Sequence, residues 1–376
     1  MRSLCLAVLT LCATSAEAQP TLARDRAPSV AAEIRPFVDR LYAGDASARA
    51  EAACQLRKQH RDATTAIPIL LSMLADDVTV PAIECHMSDW LRRQLPVSAD
   101  ARKWSETSPA KEAADTLGHI GDAAVPGLIQ QLANADWRVR KFAAHGLGEA
   151  EPQLDRPNAV AALGERLTDT HRDVRDRSAW ALGEIEDAAA VPALTRALRN
   201  DSDRGVRNRA AWAMGEIEDA SAVEGLVAVL GDPDAELRKQ AVWALGEIES
   251  GRAVTGLVRA LADAEVSVRK QAAWALGEIE DAAAVPGLVA ALAGDADVSV
   301  RREAAWALGE IESHGAVDAL IRALKDPDYR VRKTAAWALG EIEASSALEA
   351  LQAARYDVNV EVRDAVARAI RELRDR

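Results

Sequence analysis

Trp274-Ala-Leu-Gly-Glu-Ile-Glu280 is one of five identical heptapeptides in this chain. The others begin at Trp180, Trp243, Trp306 and Trp337, and a near copy, WAMGEIE, begins at Trp212. Successive Trp residues are separated by 32, 31, 31, 32 and 31 positions. That period is far longer than a heptad and matches one pair of short helices per repeat. A stack of such pairs extends its core in one dimension, so 376 residues need not divide into two or three globular domains.

One repeat, Asp281 to Glu312, serves as the template. Asp281 is placed to cap and Pro286 suits a first helical turn. The first helix is expected through Gly287 to Ala293, with Gly294-Asp295 as the breaker. A second helix should start near Asp297 and carry Val300, Ala304, Leu308 and Ile311. Neither helix is long enough to be stable alone, so each depends on its neighbours.

Applied along the chain, the template gives an array of about eight repeats over residues 121–376. The stretch Glu151 to Pro157 lengthens one turn. Residues 47–120 read as degenerate repeats or a cap, with Cys54 near the register that Trp occupies later and a loop expected over 96–109. Residues 19–46 read as a flexible leading segment. The fold class is therefore all-α.

The recurring pattern is A-V-P-x-L-x-x-x-L followed by D-x-x-V-R-x-x-A-A-x-A-L-G-x-I, as in Ala284-Val285-Pro286-Gly287-Leu288 with Val300-Arg301. It resembles the HEAT-repeat superfamily, specifically the short bacterial repeats of phycobilisome-lyase type, over roughly two-thirds of the chain. The resemblance implies a right-handed α-solenoid of helical hairpins whose second helices line the inner face. Function does not follow from it, because such repeats serve many roles.

Side-chain angles locate the tryptophans. At about 100° per residue, Val268, Ala272, Ala275, Leu276 and Ile279 fall on one stripe, the expected core face. Trp274 falls near the opposite side, between Lys270 and Glu278. The same geometry predicts a ladder of Trp180, Trp212, Trp243, Trp274, Trp306 and Trp337. Beside it would run a row of Glu184, Glu216, Glu247, Glu278, Glu310 and Glu341. His145 precedes the ladder and Arg368 follows it. Two compatible readings stand: the ladder meets a ligand, or its rings pack on one another and stiffen the array. On the first, the tryptophans should be removable without loss of fold. The Arg that follows Val in each repeat, such as Arg269 and Arg301, should bond carboxylates or carbonyls of the next repeat. Each LGE glycine should allow close helix contact.

Composition narrows the function. The net charge is −13, with 46 basic and 59 acidic residues, which disfavours nucleic acid as a partner. Aromatic faces bordered by carboxylates suit a protein or an extended peptide with basic groups. Sugar rings stacked on the ladder are an alternative. No HExxH, GxSxG, P-loop or G-x-G-x-x-G occurs, so neither catalytic residues nor a cofactor are expected. The resembled superfamily contains a hydroxylase that holds iron through His-Glu pairs; this chain has six His and no such pair, so no metal site is expected. An enzyme or lyase-type subunit, using His145 or Glu278 in the groove, is the other functional class.

The N-terminus reads as a signal peptide over residues 1–18: Arg2, an apolar stretch from Leu4 to Ala13, and Ala16-Glu17-Ala18 before a cleavage site at Gln19. That run is too short to span a membrane. A periplasmic or secreted location follows. Export would leave Cys54 and Cys85, which either pair or remain as two buried thiols.

Overall fold

The computed structural model describes residue 30, residues 32–81 and residues 106–374. The expected leader, Cys85 and residues 96–105 of the expected loop lie outside the described residues. Packing divides the chain into two compact units, residues 1–116 and 117–376.

The first unit contains helices α1 (Arg35–Arg40), α2 (Ala46–Arg57) and α3 (Ile67–Ser72), and most of α4 (Pro109–Ile120). A two-residue antiparallel pair joins Val80–Pro81 to Glu106–Thr107. Pro109 opens α4 rather than closing a loop. This unit encloses charge instead of repeating apolar contacts. Glu112 has no exposure and accepts from Thr107 Oγ1 at 2.7 Å and from Arg57 at 2.9 Å. Buried Arg49 pairs with Asp76 at 2.6 Å, and Thr116 Oγ1 donates to the Ala53 carbonyl at 2.8 Å. Cys54 is buried in α2 and is disulfide-bonded.

The second unit is an α-solenoid of helical hairpins. Its first helices are α5 (Val125–Gln131), α7 (Arg156–Arg166), α9 (Val191–Asn200), α11 (Val223–Ala228), α13 (Val254–Ala260), α15 (Val285–Gly294), α17 (Val317–Ala323) and α19 (Leu348–Ala354). Each is followed by its partner: α6 (Trp137–Ala150), α8 (Arg172–Ile185), α10 (Arg204–Glu216), α12 (Ala235–Glu247), α14 (Val266–Ile279), α16 (Val298–Glu310), α18 (Tyr329–Glu341) and α20 (Val360–Glu372). In the template repeat, α15 starts two residues before the expected Gly287, after a short 3-10 turn, Ala282–Ala284, capped by Asp281. Asp297 caps α16, accepting from the Ser299 N–H.

The apolar stripe is buried as expected. Val268, Ala272, Ala275 and Leu276 are almost completely enclosed, as is Ala273 next to Trp274, whereas Ile279 of the expected stripe is only half-buried. Second helices pack on one another along their length, whereas first helices touch more lightly. The closely packed row is therefore the inner side of the array.

Two contacts fix the stacking. Arg269 donates to both carboxylate oxygens of Asp295 in the next hairpin, at 2.7 and 3.1 Å, and to the Asp263 carbonyl of its own loop at 2.9 Å. Equivalent clamps join Arg140–Asp169, Arg175–Asp201, Arg238–Asp263, Arg301–Asp326 and Arg332–Asp357 at 2.6–2.8 Å. Forked guanidinium pairing of this kind carries geometric specificity as well as charge. The expected carboxylate does belong to the next repeat, but the carbonyls belong to the Arg's own loop. Arg207 keeps only the carbonyl bond, to Asp201 at 3.0 Å.

The second contact involves the LGE glycine. A Cβ on Gly277 would lie 2.7 Å from Trp306 Cζ3 and 3.1 Å from Ala307 Cα. The same holds for Gly148 with Trp180, Gly183 with Trp212, Gly215 with Trp243, Gly246 with Trp274 and Gly309 with Trp337. Each indole thus lies over the glycine of the preceding repeat. Gly277→Ala should cost about 1–3 kcal/mol of stability through overpacking. Urea unfolding should show a smaller loss for the same change in a Trp306→Ala background; equal losses would mean that the ring is not the obstacle.

Candidate binding face

The six tryptophans and six glutamates singled out in the sequence all lie on the inner helices α8, α10, α12, α14, α16 and α18, at equivalent positions. The rings are half-buried: opposite the core stripe, yet packed against the neighbouring repeat. One edge of each ring covers a glycine, and the rest borders the inner surface.

On one side of each Trp, four residues on, stands its glutamate. Glu184 and Glu341 are exposed, and Glu216, Glu247, Glu278 and Glu310 are half-buried. Partial burial is the main cause that raises the pKa of Glu216 above 4.5, followed by repulsion from Glu184 and Glu247 in the repeats on either side. Glu184, Glu247, Glu278 and Glu310 are raised in the same way, burial first and neighbouring carboxylates after it. The indole N–H of the same helix opposes the shift by hydrogen bonding to the charged form. No Lys, Arg or His forms an ion pair with these five carboxylates among the described residues.

A second acidic row was not foreseen. Glu151, Glu186, Glu218, Glu249, Glu280, Glu312 and Glu343 all have positive φ, between 42° and 55°. They stand just past the second helices, where glycine is the usual left-handed residue. Their charge reaches the first row: Glu249 and Glu280 both raise Glu278. A carboxylate here also opposes the negative end of the helix dipole. The signal was present in the last letter of WALGEIE, a non-glycine residue at a helix end.

On the other side of the Trp row lie cations, but these are already paired. Lys333 bonds Glu361 at 2.8 Å, Arg302 approaches Glu303 at 3.4 Å and Lys270 approaches Glu303 at 3.9 Å. Arg209 lies 3.5 Å from Asp176. The uncompensated charge of the face is therefore negative. At the start of the row, His145 is buried and its ring centroid is 5.0 Å from that of Trp180. At its end, Arg368 occupies the Trp register and Glu372, not a ring, meets Gly340.

Family comparison settles the architecture. The HEAT-repeat profile matches residues 105–175, 125–215, 160–233, 223–297 and 285–371. The chain belongs to the HEAT-repeat family. Among solved structures, importin beta matches with a TM-score of 0.55 at 15% identity, over 90% of this chain and 52% of that one. An engineered protein is 26% identical over 91% of this chain and 99% of its own, with a TM-score of 0.46. The CpcE–CpcF complex of phycocyanin lyase from Nostoc is 24% identical over 66% of this chain and 94% of its own, with a TM-score of 0.37. A search of curated proteins finds no match. No helix among the described residues is long and apolar enough to cross a membrane.

Two outcomes follow from the acidic rows. A carboxylate with a raised folded-state pKa favours folding when protonated, so this HEAT protein should gain stability as pH falls from 7 towards about 5. Arg238 and Arg332 hold Asp263 and Asp357 below 3.8, so their contribution is present above that value and lost as pH falls through the depressed values. Thermal melts should therefore peak at mildly acidic pH and collapse below about pH 3.5; a maximum at neutral pH would contradict the raised row. Separately, Glu280→Gly should raise stability by about 1 kcal/mol, because glycine enters the left-handed region freely. A loss of stability instead would show that the Glu280 side chain holds the fold.

Proposed function

We propose that this HEAT protein is a non-catalytic scaffold that holds a cationic, extended protein segment along the Trp and Glu rows of its inner helices. The observation that carries this reading is charge left over: Glu184, Glu216, Glu247, Glu278 and Glu310 have no cationic partner among the described residues, while the clamp and rim charges are matched. Half-buried indoles beside them supply apolar area and an aromatic face that attracts cations. Mutual repulsion along the Glu row, which adds to burial in raising its pKa, would be relieved by such a partner.

We also propose that the chain works after export, in the periplasm or outside the cell, as the N-terminal residue pattern suggests. The disulfide at Cys54 supports an oxidising compartment, and Cys85 is its proposed partner.

Affinity capture from a periplasmic extract tests the binding reading. The sequence alone suggested Trp243→Ala with Trp274→Ala as the control, but each ring covers a glycine, so that pair would also weaken the fold. Glu247→Gln with Glu278→Gln keeps the packing and removes only charge. This variant should melt no lower than the wild type and lose its captured partner, and raised salt should weaken the wild-type complex. Retention of the partner by the Gln variant would overturn the reading.

A further inference from the structure

The six tryptophans are not equivalent. The Arg177 guanidinium lies over the Trp180 ring, 5.0 Å from its centroid, and Arg209 lies over Trp212 at 5.3 Å. Each Arg is three residues before its Trp, so both belong to one turn of the same helix. At the next four positions that residue is Gln240, Gln271, Glu303 and Thr334. Among the described residues, no Lys or Arg lies over Trp243, Trp274, Trp306 or Trp337. The first two rungs are therefore filled by the protein's own arginines, and the last four are open.

Space is also available there. A cavity of 530 Å³ lies over the last two rungs, lined by Trp306, Thr334, Trp337, Asp364, Ala365 and Arg368 among others. It exists because the final repeat places Ala365 and Arg368 where earlier repeats place a longer side chain and an indole. Asp364 faces the cavity and makes no ion pair among the described residues.

We propose that Trp243, Trp274, Trp306 and Trp337 each receive an arginine guanidinium from an extended partner segment, as Trp180 and Trp212 receive Arg177 and Arg209. This rests on the scaffold reading above and narrows its partner to an arginine-bearing chain. Arginine fits better than lysine because its planar group stacks on an indole and still donates to carboxylates at its edge. The glutamate rows supply those carboxylates. The spacing sets a register. Packed helices lie about 8–10 Å apart, and a polyproline-II segment rises about 3.1 Å per residue. One arginine every third residue then meets one rung per repeat.

The full-length protein is titrated with two 12-residue peptides, one of four Arg-Pro-Pro triplets and one of four Lys-Pro-Pro triplets. The arginine peptide should bind at least about tenfold more tightly. Gln271→Arg with Thr334→Arg fills two open rungs from within and should weaken it by about tenfold or more, with an unchanged melting temperature. Gln352→Arg with Ala353→Arg, which adds the same two charges on the exposed side of α19, controls for net charge and should change little. In the reverse direction, Arg177→Gln with Arg209→Gln should improve binding of an 18-residue, six-triplet arginine peptide. Equal affinity for the two 12-residue peptides, or no loss in the Gln271→Arg, Thr334→Arg variant, overturns the rung assignment. If Glu247→Gln with Glu278→Gln weakens both peptides while the rung variants have no effect, the assignment alone fails. If the Gln variant binds both peptides as the wild type does, the cationic-partner reading fails with it.

Discussion

The contact between a glycine and the next repeat's indole is the constraint on which the array depends. With no Cβ on Gly246, Gly277 or Gly309, one inner helix can approach the next closely enough for the ring to lie over its backbone. On the inner row that approach brings a ring and the alanine after it against the glycine in every repeat from Gly148 to Gly309, and the second helices pack on one another along their length. The same contact holds each ring by one edge and leaves the remainder at the surface. Rigidity and a repeated aromatic face are thus produced by a single pair of residues. Packing and ligand contact are consequently not rivals here, since a ring fixed at one edge is a better platform than a free one.

Charge is distributed with a similar division of labour. Arginines that follow the buried valine are consumed in bidentate clamps between loops, where both partners are largely withdrawn from water. Cations on the inner rim are paired with Glu303, Glu361 or Asp176. Glu184, Glu216, Glu247, Glu278 and Glu310, at the ends of the inner helices, have no such partner among the described residues. They repel one another, they oppose the helix dipole, and a second glutamate in each repeat occupies a backbone region that favours glycine. Each of these features disfavours the isolated fold. Their recurrence through seven hairpins is consistent with the proposed external cation, and on that proposal stability and binding oppose each other in the same residues.

Much of this could be read in advance. The period of Trp positions, the Pro after Val in the first helix and the angle between Val268 and Trp274 established hairpins, their stacking and the face that carries the rings. Those features are local or strictly periodic, and helical geometry converts them directly into positions. The Trp and Glu rows were legible for the same reason. The degenerate first unit was not, because its buried Glu112, Arg49 and Asp76 and half-buried Arg57 pair over long separations without a repeat to announce them.

By itself, then, the sequence determined a HEAT-type helical array with tryptophans and glutamates on one side of its second helices, since amphipathic periodicity allows little else. Only the tertiary structure decided how deeply the rings sit and which of them are already covered. Ring depth depends on where a neighbouring backbone lies, 28–32 residues away in sequence and in van der Waals contact in space. Occupancy depends on the side-chain conformation that carries Arg177 and Arg209 over their rings, which no helical wheel contains. The left-handed glutamates belong to the same class, because a residue's φ is imposed by the turn that must follow it and not by the residue alone.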